Sequence, residues 1–239
     1  MDNRHLAEVL SAELKLERPP VALAFVEQAP EGMSGSGGPA PSACTFWRRA
    51  QDGLFYASAE EHYECPVGAM TMGFELPPEQ GPRAEQLVGT MVELGYFGME
   101  EVPHLPSVRK PHAGIVYGPL ERFLLRPDAV VVQVTPFQAM LLAEASGGAT
   151  LRESPELAVM GRPACAVVAR ATNESAVTMS VGCIGARTYV ELQDDRALLV
   201  LPAGKLEQTV ERLPALAHAN EVLAGFHRGQ KERIEGVLA

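Results

Sequence analysis

The chain has 239 residues, 46% apolar and 21% charged, a composition that can bury a core without disulfide staples and excludes wholesale disorder. A formal charge of -10 excludes non-specific binding to nucleic acid or anionic lipid, because both require a positive surface. The opening Met-Asp-Asn-Arg-His lacks the basic-then-apolar layout of a secretory signal, and no apolar run nears the roughly 18 residues of a membrane span. The expected compartment is therefore the cytoplasm. There thiols stay reduced, and four cysteines point to metal binding, catalysis or plain burial rather than to disulfides.

Along the chain, Leu6, Val9, Leu10, Leu14 and Leu16 stand at helical spacing, and Pro19-Pro20 ends that pattern. Val21 to Val26 is a short continuous apolar run, as in a strand buried on both faces. Residues 29–42 form a Gly/Pro/Ser stretch long enough for a mobile lid or a disordered loop. Cys44 opens a short helical segment to Ala50, Leu54 to Ala57 reads as a strand, and Cys65 follows in Cys65-Pro-Val-Gly68. Arg83 to Leu94 is helical in period with Gly95 as its stop, and the Pro-rich run from Val102 to His112 reads as an extended connection.

Ala113 to Tyr117 reads as a strand, and Ala129 to Val134 is the most apolar strand of the chain. A helical pattern covers Pro136 to Ala145, Cys165 starts another short apolar segment, Ala176 to Val181 is a strand, and Cys183 lies just past it. Arg196 to Leu201 is the last strand. Leu206 to Val237 is helical, with breaks expected near Pro214 and Gly225. Strands alternating with helices indicate an α/β fold with a mixed sheet.

The chain also resembles itself. Ala43-Cys44 and Ala164-Cys165 are each followed at one offset by a basic-small pair, Arg49-Ala50 and Arg170-Ala171. Each passes through a polar turn and a strand to a second cysteine, in Cys65-Pro-Val-Gly68-Ala69 and Cys183-Ile-Gly185-Ala186. Pro19 to Phe25 resembles Pro127 to Gln133, and Gly118-Pro-Leu120-Glu121 resembles Gly204-Lys-Leu206-Glu207. The expected architecture is one compact unit of two related α/β halves, 1–125 and 126–239, packed about a pseudo-twofold axis. Residues near such an axis meet their counterparts, as in a symmetric dimer. Four thiolates would then converge.

A set of four soft thiolates suits Zn²⁺ or an iron-sulfur cluster, and a [4Fe-4S] cube takes one ligand per iron. The spacing alone is weak, since there is no Cys-x-x-Cys pair. Cys65 and Cys183, beside Gly68 and Gly185, look most like ligands, whereas Cys165 among Ala164, Ala166 and Val167 also reads as a small buried hydrophobe. His62 could complete a mixed Cys/His zinc site, although its setting, Glu60-Glu61-His62-Tyr63, reads as solvated. Arg187, four residues past Cys183, could face the site and stabilise an anionic substrate or cluster, or simply lie on the surface. Gly35-Ser-Gly37-Gly38 lies in a Ser/Pro-rich loop and is no dinucleotide fingerprint.

Pro20-Val-Ala-Leu23, Cys65-Pro-Val-Gly68, Gly161-Arg-Pro-Ala-Cys165 and Ser180-Val-Gly-Cys183-Ile-Gly-Ala-Arg187 resemble the bacterial and archaeal family catalogued as domain of unknown function one hundred and sixty-nine. The resemblance covers nearly the whole chain. It implies a fold and a cysteine placement rather than a reaction, and the family's frequency in anaerobes favours iron-sulfur over zinc. The expected function is thus an iron-sulfur protein whose [4Fe-4S] cluster, held by Cys44, Cys65, Cys165 and Cys183, serves an electron-transfer partner protein or a reductive step on a small molecule near Arg187. A structural zinc or thiol-packed binding module, and an enzyme with one activated cysteine, are the alternatives.

Overall fold

The computed structural model describes residues 1–148 and 157–238; residues 149–156 and 239, in the expected second half, lie outside the described residues. In chain order the elements are α1 (Asn3–Leu14), β1 (Val21–Val26), α2 (Thr45–Arg49), β2 (Phe55–Ser58), α3 (Pro66–Met72), α4 (Gly81–Glu93), β3 (Gly114–Pro119), β4 (Ala129–Val134) and α5 (Pro136–Ala143). Then come β5 (Ala158–Met160), α6 (Ala166–Glu174), β6 (Thr178–Ser180), α7 (Ile184–Tyr189), β7 (Ala197–Pro202) and α8 (Ala203–Leu238). The expected mixed α/β fold is present as one seven-stranded sheet of order β2-β3-β1-β4-β7-β6-β5. Its neighbours pair antiparallel except β5 and β6, which are parallel.

Both faces of the sheet are covered, which explains why its inner strands are apolar at every position rather than at alternate ones. Val21, Leu23 and Phe25 of β1 enter one core, with Ile115 and Tyr117, Ala129 and Val131, and Leu198 and Val200 from the other strands. Helices α2, α3, α6 and α7 close this face. Ala22 and Ala24, Val116, Val130, Val132 and Leu199 face the other way, where Leu6 and Leu10 of α1, Leu142 of α5 and Leu206, Val210 and Leu213 of α8 pack. All four cysteines therefore lie on the side of α2, α3, α6 and α7.

Local chemistry sets the boundaries. Asp2 caps α1 by accepting from the His5 N–H, and Lys15, in the left-handed region at φ 52°, ends it four residues before the Pro19-Pro20 pair. Thr135 and Gln138 form a reciprocal capping box at the start of α5, behind Pro136. Helix α8 runs without the expected break at Pro214.

The stretch 29–42 is not free. Tyr56 donates its N–H to Ser34 O at 2.9 Å, the Glu61 carboxylate accepts from the Ser36 hydroxyl and the Gly38 N–H, and Arg49 donates to the carbonyls of Ser36, Gly38 and Pro39. A charged residue on each side satisfies backbone groups that an open lid would leave to water.

Candidate functional site

Each cysteine immediately precedes a helix: Cys44 before α2, Cys65 before α3, Cys165 before α6 and Cys183 before α7. Cys44 and Cys165 enter with the same backbone, at φ -73°, ψ -17° and φ -66°, ψ -20°. Both are buried, whereas Cys65 and Cys183 are half-buried, and all four are free thiols. The site thus has an inner pair and an outer pair, one of each from either half.

The Cys165 thiol lies within electrostatic reach of the other three cysteines. Burial pushes the Cys44 thiol up to about 12, and charge on Cys183 or Cys65 would raise it further, against a lowering hydrogen bond from Ser42. Burial also holds the Cys165 thiol well above its ordinary value; Cys65, Cys44 and Cys183 act in the same direction, and the Thr71 hydroxyl opposes them. Ser42 Oγ stands 3.0 Å from Cys44 Sγ. Thr71 belongs to α3, so the helix that starts at Cys65 also carries a polar contact to the cysteine of the other half. As placed, and among the described residues, no group of three or more His, Cys, Asp or Glu could hold a metal ion.

Glycine permits the close approach of α3. A Cβ on Gly68 would lie 2.7 Å from Ala43 Cβ and 2.8 Å from Cys65 Sγ, inside van der Waals contact with both. Gly185 of α7 is roomier, with Cys183 Sγ at 3.7 Å.

Arg187 is engaged within its own loop. It donates to the carbonyls of Val181, Leu192 and Gln193 at 2.9 to 3.3 Å and pairs with Asp194 at 3.2 Å. Those bonds fasten the turn through Gly182, at φ +88°, that presents Cys183.

His62 differs from its expected solvated setting. It is fully buried, tilted against Phe46 and Phe74 with ring centroids 4.4 and 4.7 Å away. Ser58 O can only accept, so Nδ1 carries the proton at 2.7 Å, and Nε2 accepts from the Tyr117 hydroxyl at 3.0 Å. Burial lowers His62 to about 4, so the ring is neutral at physiological pH. Tyr117 is held well above its usual range by burial first and then by Cys165 and Cys44, which places its phenol beside the inner thiols.

The family profile of domain of unknown function 169, described as uncharacterised ArCR, matches residues 9–212. The chain belongs to this family. An uncharacterized protein of Methanocaldococcus jannaschii is 30% identical over 182 residues, covering 72% of this chain and 73% of that protein. No solved structure matches. All four cysteines, Ser42, His62, Thr71, Tyr117 and Arg187 fall inside the stretch that matches domain of unknown function 169, and the outer part of α8 falls beyond it.

Sequence reasoning names the four cysteines and Arg187 but misses Ser42, Thr71, Tyr117 and the burial of His62. Ser42 lies two residues before Cys44, so a search for donors near each thiol could have found it. Thr71 and Tyr117 reach the site only through tertiary packing.

Proposed function

We propose that Cys44, Cys65, Cys165 and Cys183 hold a [4Fe-4S] cluster on the covered face of the sheet, and that the protein acts in electron transfer or in reductive chemistry on a small molecule. The observation that carries this reading is that four free cysteines, each at the start of a helix on one face of the sheet, are near enough that Cys65 and Cys183 add to the burial that holds the inner thiols Cys44 and Cys165 protonated. A cube takes one thiolate per iron, and four free cysteines supply that number. Bound there, such a cluster supplies a one-electron carrier. The chain's own residues do the rest: the Ser42 hydroxyl stands against Cys44, Thr71 lies beside Cys165 while donating to Val67 O, Tyr117 and His62 form a neutral backing, and Arg187 positions Cys183.

We further infer that the halves descend from an internal duplication about a pseudo-twofold axis. Matching Pro19 to Phe25 with Pro127 to Gln133 makes Ala22 the counterpart of Val130, and these two are partners across β1 and β4. On either side Val21 meets Val131 and Leu23 meets Ala129, the exchange a twofold axis requires. The pairing of Val21 with Pro119 recurs as Ala129 with Pro202, and that of Phe55 with Tyr117 as Thr178 with Val200. Backbone bonds agree: Leu120 donates to Pro20 O at 2.8 Å and Ala203 to Asp128 O at 2.9 Å. By this register Gly118 corresponds to Leu201, three residues before the Gly204 of the sequence match.

The test is purification without oxygen followed by iron, sulfide and zinc analysis. A brown protein with about four iron and four sulfide per chain, lost in Cys65→Ser and Cys183→Ser variants that keep their far-UV spectrum, is the expected result. Colourless protein with stoichiometric zinc overturns it, as does metal-free protein after anaerobic reconstitution; the latter leaves a thiol-packed module.

A further inference from the structure

The two halves differ most in the connection that leaves each outer cysteine helix. Forty-one residues separate α3 from β3, against seven between α7 and β7. Within the longer connection not one residue from Glu75 to Ser107 is buried, although it contains Leu76, Leu87, Val88, Met91, Val92, Tyr96 and Phe97. Helix α4 has an apolar stripe at helical spacing that is only half covered, and a helix of thirteen residues is marginal in water without a buried face. This segment belongs to the weakly held end of the molecule's stability range.

Its roots are firm by contrast. Val108 is buried and donates its N–H to Thr71 O at 3.0 Å; Ser107 Oγ donates to Met70 O at 2.7 Å. Asn173 of α6 accepts from the Arg109 N–H at 3.0 Å and donates to Ser107 O at 2.7 Å. On the outgoing side Gly73, at φ +95°, passes so near Val108 that an added Cβ would sit 2.6 Å from its carbonyl oxygen. Both ends of the segment are therefore clamped together against α3 and α6. Between them, two polar clasps reach to either side of the cysteines. Arg83 pairs at 2.5 Å with Glu64, the residue before Cys65, and the Tyr96 ring lies 3.7 Å from the guanidinium of Arg162, three residues before Cys165.

We propose that residues 75–107 are a lid, hinged where Gly73 meets Val108, that covers the outer thiol Cys65 and opens by release of the Tyr96–Arg162 and Arg83–Glu64 clasps. The proposal deepens the reading of the cysteine site, because it gives that site a gate on its exposed side. It does not depend on which metal, if any, the thiols hold. Firm roots with an unburied middle are what a hinged segment needs, and its apolar stripe gives the closed state a surface to rest on.

The test combines hydrogen–deuterium exchange of the full chain with the alkylation rate of Cys65 in chelator-treated protein. Amides of residues 81–96 should exchange far faster than those of β1 and β4. Tyr96→Ala and Arg162→Ala should raise both the exchange of 81–96 and the alkylation of Cys65 about two- to thirtyfold, the range spanned by loss of one cation–π contact. Tyr96→Phe, which keeps the ring, should behave as wild type, and exchange in the sheet should not change. Exchange of 81–93 as slow as that of β4 overturns the lid. So does faster exchange in Tyr96→Ala with an unchanged Cys65 rate, which would mean that the segment moves without covering that thiol. Iron analysis of the same proteins before chelation reads the cluster proposal separately.

Discussion

The two wings of the sheet each carry two cysteine-led helices with a strand between them, α2-β2-α3 and α6-β6-α7, and are filled with different side chains. Beside β2 and β3, Phe46 stacks on Tyr117 at 5.4 Å and Phe55 on Tyr117 at 5.6 Å, with Trp47, His62 and Phe74 completing an aromatic core. Beside β6 and β7, the places just after Cys165 and across the strand pair hold Val167, Val168, Thr178 and Val200. Common to the wings are a cysteine at the start of each helix and a strand between them. The wings thus share the placement of their cysteines and differ in the volume packed behind them, so their packing can be perturbed separately.

The largest expected contrast comes from emptying equivalent places. Trp47→Ala should lose about 3–5 kcal/mol of unfolding free energy, against about 1–2 kcal/mol for Val168→Ala, measured by denaturant melts. Equal losses would break the comparison. Trp47 Nε1, buried without a hydrogen-bond partner among the described residues, sharpens it: Trp47→Phe removes that donor together with some volume and should cost less than the size change suggests.

Next in size is a pH effect confined to the aromatic wing. His62 is neutral in the folded chain down to about pH 4 but takes up a proton near 6.5 when unfolded. The unfolded state then binds more protons between those values, so stability is unaffected above about 6.5 and falls on acidification until about 4. The loss should be roughly 3 kcal/mol, and His62→Gln should flatten that part of the stability profile relative to wild type. An unchanged profile in the variant would show that the histidine is not held neutral by its burial.

The strands are legible in the sequence because a sheet covered on both faces demands uninterrupted apolar runs, and Val21 to Val26 and Ala129 to Val134 supply them. The order of the strands is not, since the pairing of β1 with β4 and of β4 with β7 joins residues more than sixty positions apart or reverses direction without a hairpin turn. Helix α3 escapes notice because Pro66 and Gly68 look like breakers, although proline at a first helical position is itself a start signal. Four cysteines can be counted and paired, yet their inner and outer ranks depend on burial, and His62 looks solvated among acidic neighbours because nothing local announces Tyr117 fifty-five residues away. The stretch 29–42 looks mobile because its anchors, Arg49 and Glu61, come after it in the chain.

The smallest contrast lies at the two glycines just past the outer cysteines. Gly68 has no room for a methyl group, because Ala43 Cβ and Cys65 Sγ both lie under 3.0 Å from where it would sit, so Gly68→Ala must shift α3 or the sulfur. Overpacking of this kind costs about 1–3 kcal/mol. Gly185 meets nothing nearer than 3.7 Å and lies within a helix, where alanine is favoured over glycine by up to about 1 kcal/mol. Gly185→Ala should therefore be neutral or mildly stabilising in a thermal melt. The pair also reads the site: if Cys65 is a ligand, Gly68→Ala should lower metal content after reconstitution at a temperature where the chain stays folded, while Gly185→Ala leaves it unchanged. Equal metal content in both variants would mean that the crowding at Gly68 matters to packing alone.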